Sequence, residues 1–204
     1  MEGRIELIIG PMFSGKTSEL YRRVKLHVMA NEECLVLKYI KDTRYCSSRA
    51  SLAASHDGAF MRAISVASPW EVDQELLERA AVIAIDEGQF MPRLAQFCNE
   101  QADKGKIVLV SGLDSTFGKA PFEEIVALIP LSERIDKLQA ICFGCHRPAS
   151  FSRRINENVH CLEDIGGPEK YVASCRDCFT VPISPHHLER NRGNAERLKL
   201  LQSI

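Results

Sequence analysis

Gly10, Gly15, Lys16 and Thr17 follow the spacing GxxxxGK and then Ser or Thr, inside the stretch "GPMFSGKTS" of residues 10–18. These residue types in this order suit a phosphate-holding loop, the plainer alternative being a glycine turn between strand and helix with a solvated lysine. The glycines let the backbone turn so that successive N–H groups point inward, and the N-terminus of the following helix adds partial positive charge. Lys16 then reaches the β and γ phosphates and the Thr17 hydroxyl ligates Mg²⁺, with Pro11, Met12, Phe13 and Ser14 forming the span of the loop and Ser18 following it. The context fits, because "IELII" before the motif reads as a strand and "SELYRRVKL" after it as a helix. Such a loop calls for an acid at the end of a neighbouring strand. The apolar run "AVIAIDE" ends in Asp86 and Glu87. Asp86 suits the water shell of Mg²⁺, and Glu87, one residue on and pointing differently, suits a general base facing a substrate hydroxyl. A pair of carboxylates on an exposed turn is the plainer alternative.

A second constellation lies far downstream. Cys142 and Cys145 ("CFGC") and Cys175 and Cys178 ("CRDC") make two CxxC pairs. Two-residue spacing lets both thiolates of a pair bind one ion, and two pairs complete the S₄ tetrahedron that zinc prefers. Nothing marks a fourth position for water, so a closed structural site is expected, with an inserted loop between the pairs. A redox CxxC or simple buried cysteines remain open. Cys34, Cys46, Cys98 and Cys161 stand singly and read as ordinary small side chains.

The elements that must position these groups alternate. "RIELIIG", "CLVLKYI", "AVIAIDE" and "KIVLVSGLD" read as strands, and "KTSELYRRVKLHVMAN" and "MPRLAQFCNEQADKGK" as helices. Strands this rich in Val, Ile and Leu are buried on both faces, so an α/β domain with a parallel sheet is expected. "RYCSSRASLAASHDGAF" is small, polar and aperiodic, and reads as a loop. After about residue 140 the rhythm changes to short pieces around the cysteines. The expected division is residues 1–140 as the phosphate-binding domain, 141–182 as the zinc domain and 183–204 as a charged tail. Lys plus Arg number 26 against 27 Asp plus Glu, so no bulk charge points to nucleic acid or membrane. With neither a secretion signal nor a long apolar run, an intracellular location is expected, where paired cysteines favour metal over disulfides.

"GPMFSGKTSEL", "KYIKDTRY", "IDEGQF", "GLDSTFGKAPF" and "GGPEKYVASCRDC", in collinear order, resemble the type II, zinc-containing thymidine kinases, from about residue 4 to residue 180. The resemblance implies a RecA-like P-loop domain and a small zinc domain carrying a lasso loop, roughly residues 150–171. It implies transfer of the ATP γ-phosphate to the 5′-hydroxyl of thymidine, with Glu87 as base, Asp86 near Mg²⁺, and Asp42 and Arg44 near the phosphates. Met12, Phe90, Leu113, Phe117 and Phe122 match the pocket around the base, although burial in a core selects the same types. Leu162, Ile165, Gly166 and Tyr171 match the lasso, and Ser152 stands where the family usually has Thr, keeping the hydroxyl; "HCLEDIGG" departs from the family by placing Asp164 where short apolar residues are usual. Feedback inhibition by thymidine triphosphate (dTTP), a homotetramer and a cytoplasmic location are further expectations. A GTP switch protein would need an Asn-Lys guanine reader, and the chain has no such pair. A P-loop ATPase or nucleic-acid module with a zinc ribbon would need a basic patch, for which "HRPASFSRRI" is the nearest segment.

Overall fold

The computed structural model describes residues 2–41, 52–54, 60–155 and 166–183. "RIELII" forms β1 (Arg4–Ile9), whose last five residues are buried. A turn through residues 10–15 leads into α1 (Lys16–Met29), with Glu19 in the first turn and His27 in the last, the order that complements the helix dipole. There follow β2 (Cys34–Tyr39), β3 (Leu52–Ala54) and β4 (Phe60–Val66). Next comes α2 (Gln74–Arg79), capped by the Asp73 side chain accepting from the N–H groups of Glu75 and Leu76. The wholly buried β5 (Val82–Asp86) precedes α3 (Leu94–Asp103), and the wholly buried β6 (Ile107–Gly112) precedes α4 (Glu123–Leu128) and β7 (Arg134–Lys137).

These strands make one sheet in the order β3-β4-β2-β5-β6-β1-β7. Every neighbouring pair is parallel except β3 with β4. The sequence reading of residues 44–60 as loop therefore missed a short strand. "LAA" is too brief to show alternation, and its pairing partner lies only in the antiparallel register Leu52↔Arg62 to Ala54↔Phe60.

Side chains alternate between the faces as the pleat requires. Ile5, Leu7 and Ile9 join Met91, Leu94, Phe97, Ile125 and Leu128 on one side, while Ile8, Ala84 and Leu109 meet Leu20, Tyr21 and Val24 of α1 on the other. Ile9 pairs with Gly112, and Ile85 with Val110. The carboxyl ends of β1, β5 and β6 therefore share one edge, where open parallel sheets bind ligands.

Arg23 of α1 fixes this frame from the helix side. Its guanidinium donates to Glu6 of β1 at 2.9 Å, Glu19 at 2.9 Å and Asp136 of β7 at 2.6 Å, and Glu6 also accepts from Arg4. Hydrogen bonds from Arg22 first, then Arg23, outweigh burial and hold Glu19 down to about 2. Glu6 is lowered because Arg4 and Arg23 overcome its burial, and Asp136 is lowered chiefly by Arg23. Carboxyls depressed by folding contribute stability that is complete above their ordinary range and lost as pH falls through the folded values. Stability is therefore expected to decline between about pH 4.5 and 2, by on the order of 1 kcal/mol once solvent screening of the outer pairs is allowed for. A calorimetric pH series checks this, and in Arg23→Met the acid-dependent step should shrink.

Beyond β7 the chain leaves the large sheet. β8 (Ala140–Ile141) pairs with β9 (Pro148–Ala149), and β10 (Phe151–Arg154) with β11 (Tyr171–Ser174), both antiparallel, before the single turn of α5 (Arg176–Phe179). Ala140, Cys142, Ala149, Ala173 and Cys175 form its core. So few small side chains cannot supply the stability of a folded unit, which calls for a cross-link or a metal. The middle of the expected lasso, with Leu162 and Ile165, lies outside the described residues, as do Asp42, Arg44 and the tail from 184 onward.

Candidate active site

The turn between β1 and α1 is built on three left-handed or glycine-only conformations, Gly10 at φ 145°, Phe13 at φ 65° and Gly15 at φ 83°. A Cβ on Gly10 would stand 2.5 Å from the Leu138 carbonyl oxygen, so both its φ and its space require glycine. Ser14 Oγ and the buried Lys16 Nζ both donate to the Pro11 carbonyl, at 2.8 and 2.7 Å, which ties the turn to the helix that follows.

Thr17, one residue into α1, donates from Oγ1 to Asp86 Oδ1 at 3.2 Å. That oxygen also accepts from Ser111 Oγ of β6 at 2.5 Å and from the Glu87 N–H at 3.1 Å. Asp86 is 4% exposed, so a buried carboxylate is held by three donors from β6, α1 and its own turn. Thr17 and Asp86 together present hard oxygen donors of the kind Mg²⁺ takes.

Glu87 adopts φ 56° and ψ 39°, a left-handed conformation that a glutamate rarely takes. Its carboxylate accepts from Gln89 Nε2 at 2.6 Å, and Gln89 Oε1 in turn accepts from the Leu113 N–H at 3.0 Å. The buried Gln89 thereby links the carboxylate to the start of the loop after β6. Phe90 stacks on Tyr39 with centroids 5.2 Å apart and meets Phe122 edge-on at 5.9 Å, giving an aromatic wall across the ends of β2, β5 and β6.

The module around the cysteines reaches the same edge. Ser152 Oγ of β10 accepts from the Met12 N–H at 2.9 Å, and Arg154 lies 4.2 Å over the Phe117 ring and donates to the Tyr171 hydroxyl at 3.4 Å. These contacts bring together residues 10–17, Asp86, Glu87, Phe90, Leu113, Phe117, Phe122, Ser152 and Tyr171. Gly166 is buried near the β10–β11 pair, with no such contact to the loop or the acids. Sequence reading missed Gln89, Ser111 and Tyr39. A hydroxyl inside the apolar run "IVLVSG" was the available signal for Ser111. Arg153 and Arg154, read above as the core of a possible basic patch, are buried, with Arg153 donating to the carbonyls of Cys178 and Val181.

The ligand atoms of Cys142, Cys145, Cys175 and Cys178 all lie within 4.8 Å of one another, and the Cys145 and Cys175 sulfurs are 3.6 Å apart. That is far beyond an S–S bond of ~2.05 Å and close to the ~3.8 Å edge of a tetrahedron with Zn–S near 2.3 Å. Backbone N–H groups of Cys175 and Cys178 donate to the Cys142 and Cys175 sulfurs, and the Arg147 guanidinium, donating to Cys145, holds that thiol down to about 6. Burial pushes the Cys178 thiol the other way, up to about 12, so the donors and the neighbouring cation favour the thiolate at Cys145 and not across the whole set.

The chain matches the family profile described as thymidine kinase over residues 3–179. It is 45% identical over 177 residues to the thymidine kinase of myxoma virus (strain Lausanne), covering 87% of this chain and 96% of the viral one. It is 46% identical over 177 residues to the cytosolic thymidine kinase of Homo sapiens, covering 87% and 73%. Against thymidine kinase 1 of Dictyostelium discoideum the identity is 41% over 199 residues, covering 96% and 82%.

Proposed function

The chain belongs to the thymidine kinase family, and from that premise we propose which of its residues carry out the transfer of a phosphoryl group from ATP to thymidine. The observation that carries the assignment is the Thr17–Asp86 hydrogen bond with Glu87 next in the chain, which joins the phosphate-type loop and the acidic pair at one sheet edge.

Residues 10–17 act as a P-loop, cradling the ATP phosphates with backbone N–H groups while Lys16 offsets charge on the β and γ oxygens. Thr17 and Asp86 would hold Mg²⁺, which would supply charge neutralisation at the phosphates. Glu87 takes the proton from the thymidine 5′-hydroxyl as that oxygen forms its bond to the γ phosphorus. The bond to the β,γ-bridging oxygen breaks, and thymidine monophosphate and ADP result. Met12, Phe90, Leu113, Phe117 and Phe122 wall the base, the lasso residues Ser152, Leu162, Ile165, Gly166 and Tyr171 close over it, and Asp42 and Arg44 act near the phosphates. The same pocket and loop would accept dTTP, which combines the base with phosphates, and so supply feedback inhibition. A homotetramer belongs to the same family reading, and Leu26, Val28 and Met29 at the end of α1 are exposed apolar side chains that an association surface could cover. No helix of the described residues is long and apolar enough to cross a membrane, and a cytoplasmic location belongs to the same reading.

The division at residue 140 has a mechanical sense in this reading. The four cysteines hold one structural zinc whose ligand pairs lie on either side of the lasso, so the ion pins both ends of a long loop. Metal analysis of the reduced protein is expected to find about one zinc per chain. Cys175→Ser should raise the thymidine KM at least tenfold while affinity for an ATP analogue moves less than threefold, with the helical circular dichroism retained. Equal losses for both ligands would place the module under the whole fold instead. The substrate reading itself is tested by ATP-dependent phosphorylation of a panel of deoxyribonucleosides. Thymidine is expected to lead, and a panel with no thymidine product would overturn the assignment.

A further inference from the structure

The loop from β6 to α4, residues 113–122, is a small rigid hairpin. Thr116 N–H donates to the Ala120 carbonyl at 2.8 Å, the Lys119 N–H to the Thr116 carbonyl at 3.0 Å, and Thr116 Oγ1 accepts from the N–H groups of Gly118 and Ala120. A bridge between Ser115 and Pro121 closes its base. Near its tip Lys119 holds φ 63°, a conformation that asparagine and glycine adopt far more readily than lysine.

What that lysine touches explains its presence. Its Nζ lies 4.4 Å from the centroid of Phe151 on β10 and 3.8 Å from that of Phe179 on α5. The two rings meet edge to face at 5.8 Å, so the ammonium sits against both. A cation within about 6 Å of a ring centroid is attracted by the ring quadrupole, and here two rings act on one charge. The contact is answered in the other direction by Arg154 of β10, 4.2 Å over Phe117 of the hairpin. Each partner thus offers a cation to the aromatic side chains of the other. The hairpin begins at Leu113, whose N–H is held by the Gln89 that also holds Glu87.

We propose that Lys119 is a positioning residue, clamping the β6–α4 hairpin onto the cysteine module through Phe151 and Phe179 so that the nucleoside pocket is held closed. The proposal rests on the thymidine kinase reading, in which Leu113, Phe117 and Phe122 of this loop wall the base. Among the described residues the Lys119 ammonium meets Phe151 and Phe179, away from the phosphate loop and Asp86, so its effect belongs to nucleoside capture and not to the chemical step. The ring faces select for a cation, so arginine should serve in its place and an uncharged chain of similar length should not.

The test compares Lys119→Met, Lys119→Asn and Lys119→Arg in the full chain. Lys119→Met is expected to raise the thymidine KM about fivefold to tenfold, with kcat and the ATP KM within twofold of the parent. Lys119→Asn, which suits the backbone but lacks the cation, should match it, and Lys119→Arg should return the thymidine KM to within about twofold. An unchanged thymidine KM in Lys119→Met overturns the proposal, as does an Lys119→Arg protein as impaired as Lys119→Met, or a parallel fall in kcat. The clamp is also tested without turnover, by a double-mutant cycle in thermal unfolding between Lys119→Met and Phe179→Leu. Non-additive losses support the contact and additive losses refute it, even if thymidine proved not to be the substrate.

Discussion

Lys16→Ala is expected to lower kcat by ~10³ or more while leaving the fold and the cysteine module intact. The magnitude follows from where charge moves. As the γ phosphoryl departs, negative charge grows on the β,γ-bridging oxygen, and a preorganised cation aimed there stabilises the transition state more than the ground state. Lys16 lies within the loop itself, its buried Nζ donating to the Pro11 carbonyl at 2.7 Å, a bond it would exchange for a bound phosphate oxygen. Removing it loses the hydrogen bond to the Pro11 carbonyl, a bond whose loss costs on the order of 1 kcal/mol in stability. Steady-state kinetics with circular dichroism separate the two effects. If the variant keeps more than about a tenth of parental turnover, the loss in barrier terms is under ~1.4 kcal/mol and Lys16 does not have the assigned role.

Glu87→Gln is expected to lower kcat by ~10² with the thymidine KM within about threefold, since proton abstraction is made in the transition state. The amide keeps the volume of the side chain and an oxygen that can still accept from Gln89, so the strained turn has no reason to change. Basicity alone is lost. A rise confined to KM would make Glu87 a group that positions the nucleoside, and the base would have to be sought elsewhere on this edge.

The parts of the site most legible in the sequence are those where the backbone itself restricts residue type. Gly10 and Gly15 occupy φ values that side chains avoid, and Asp86 and Glu87 break an apolar strand at its end, so both left a mark in the one-dimensional pattern. The four cysteines did so too, because their spacing is set by ligand geometry. Gln89 left none. Its partner Leu113 is 24 residues away, and the two meet only because β5 and β6 pair in the register that brings Ile85 opposite Val110. The strand β3 was lost for want of length. Arg153 and Arg154 lie in the segment that came nearest to a basic patch, and aromatic faces and backbone carbonyls receive them inside the protein. Composition registers a charge, and only packing says what it faces.

The central claim is that one sheet edge delivers the γ-phosphate of ATP to the 5′-oxygen of thymidine. It is tested most directly by incubating the protein with thymidine, Mg²⁺ and ATP labelled at the γ phosphorus, and identifying every labelled product by chromatography and phosphorus NMR. The predicted result is thymidine 5′-monophosphate formed in equal amount with ADP, at a rate that depends on thymidine and collapses in Lys16→Ala. Label appearing only as free phosphate, at a rate indifferent to thymidine, would contradict the claim and leave an ATPase.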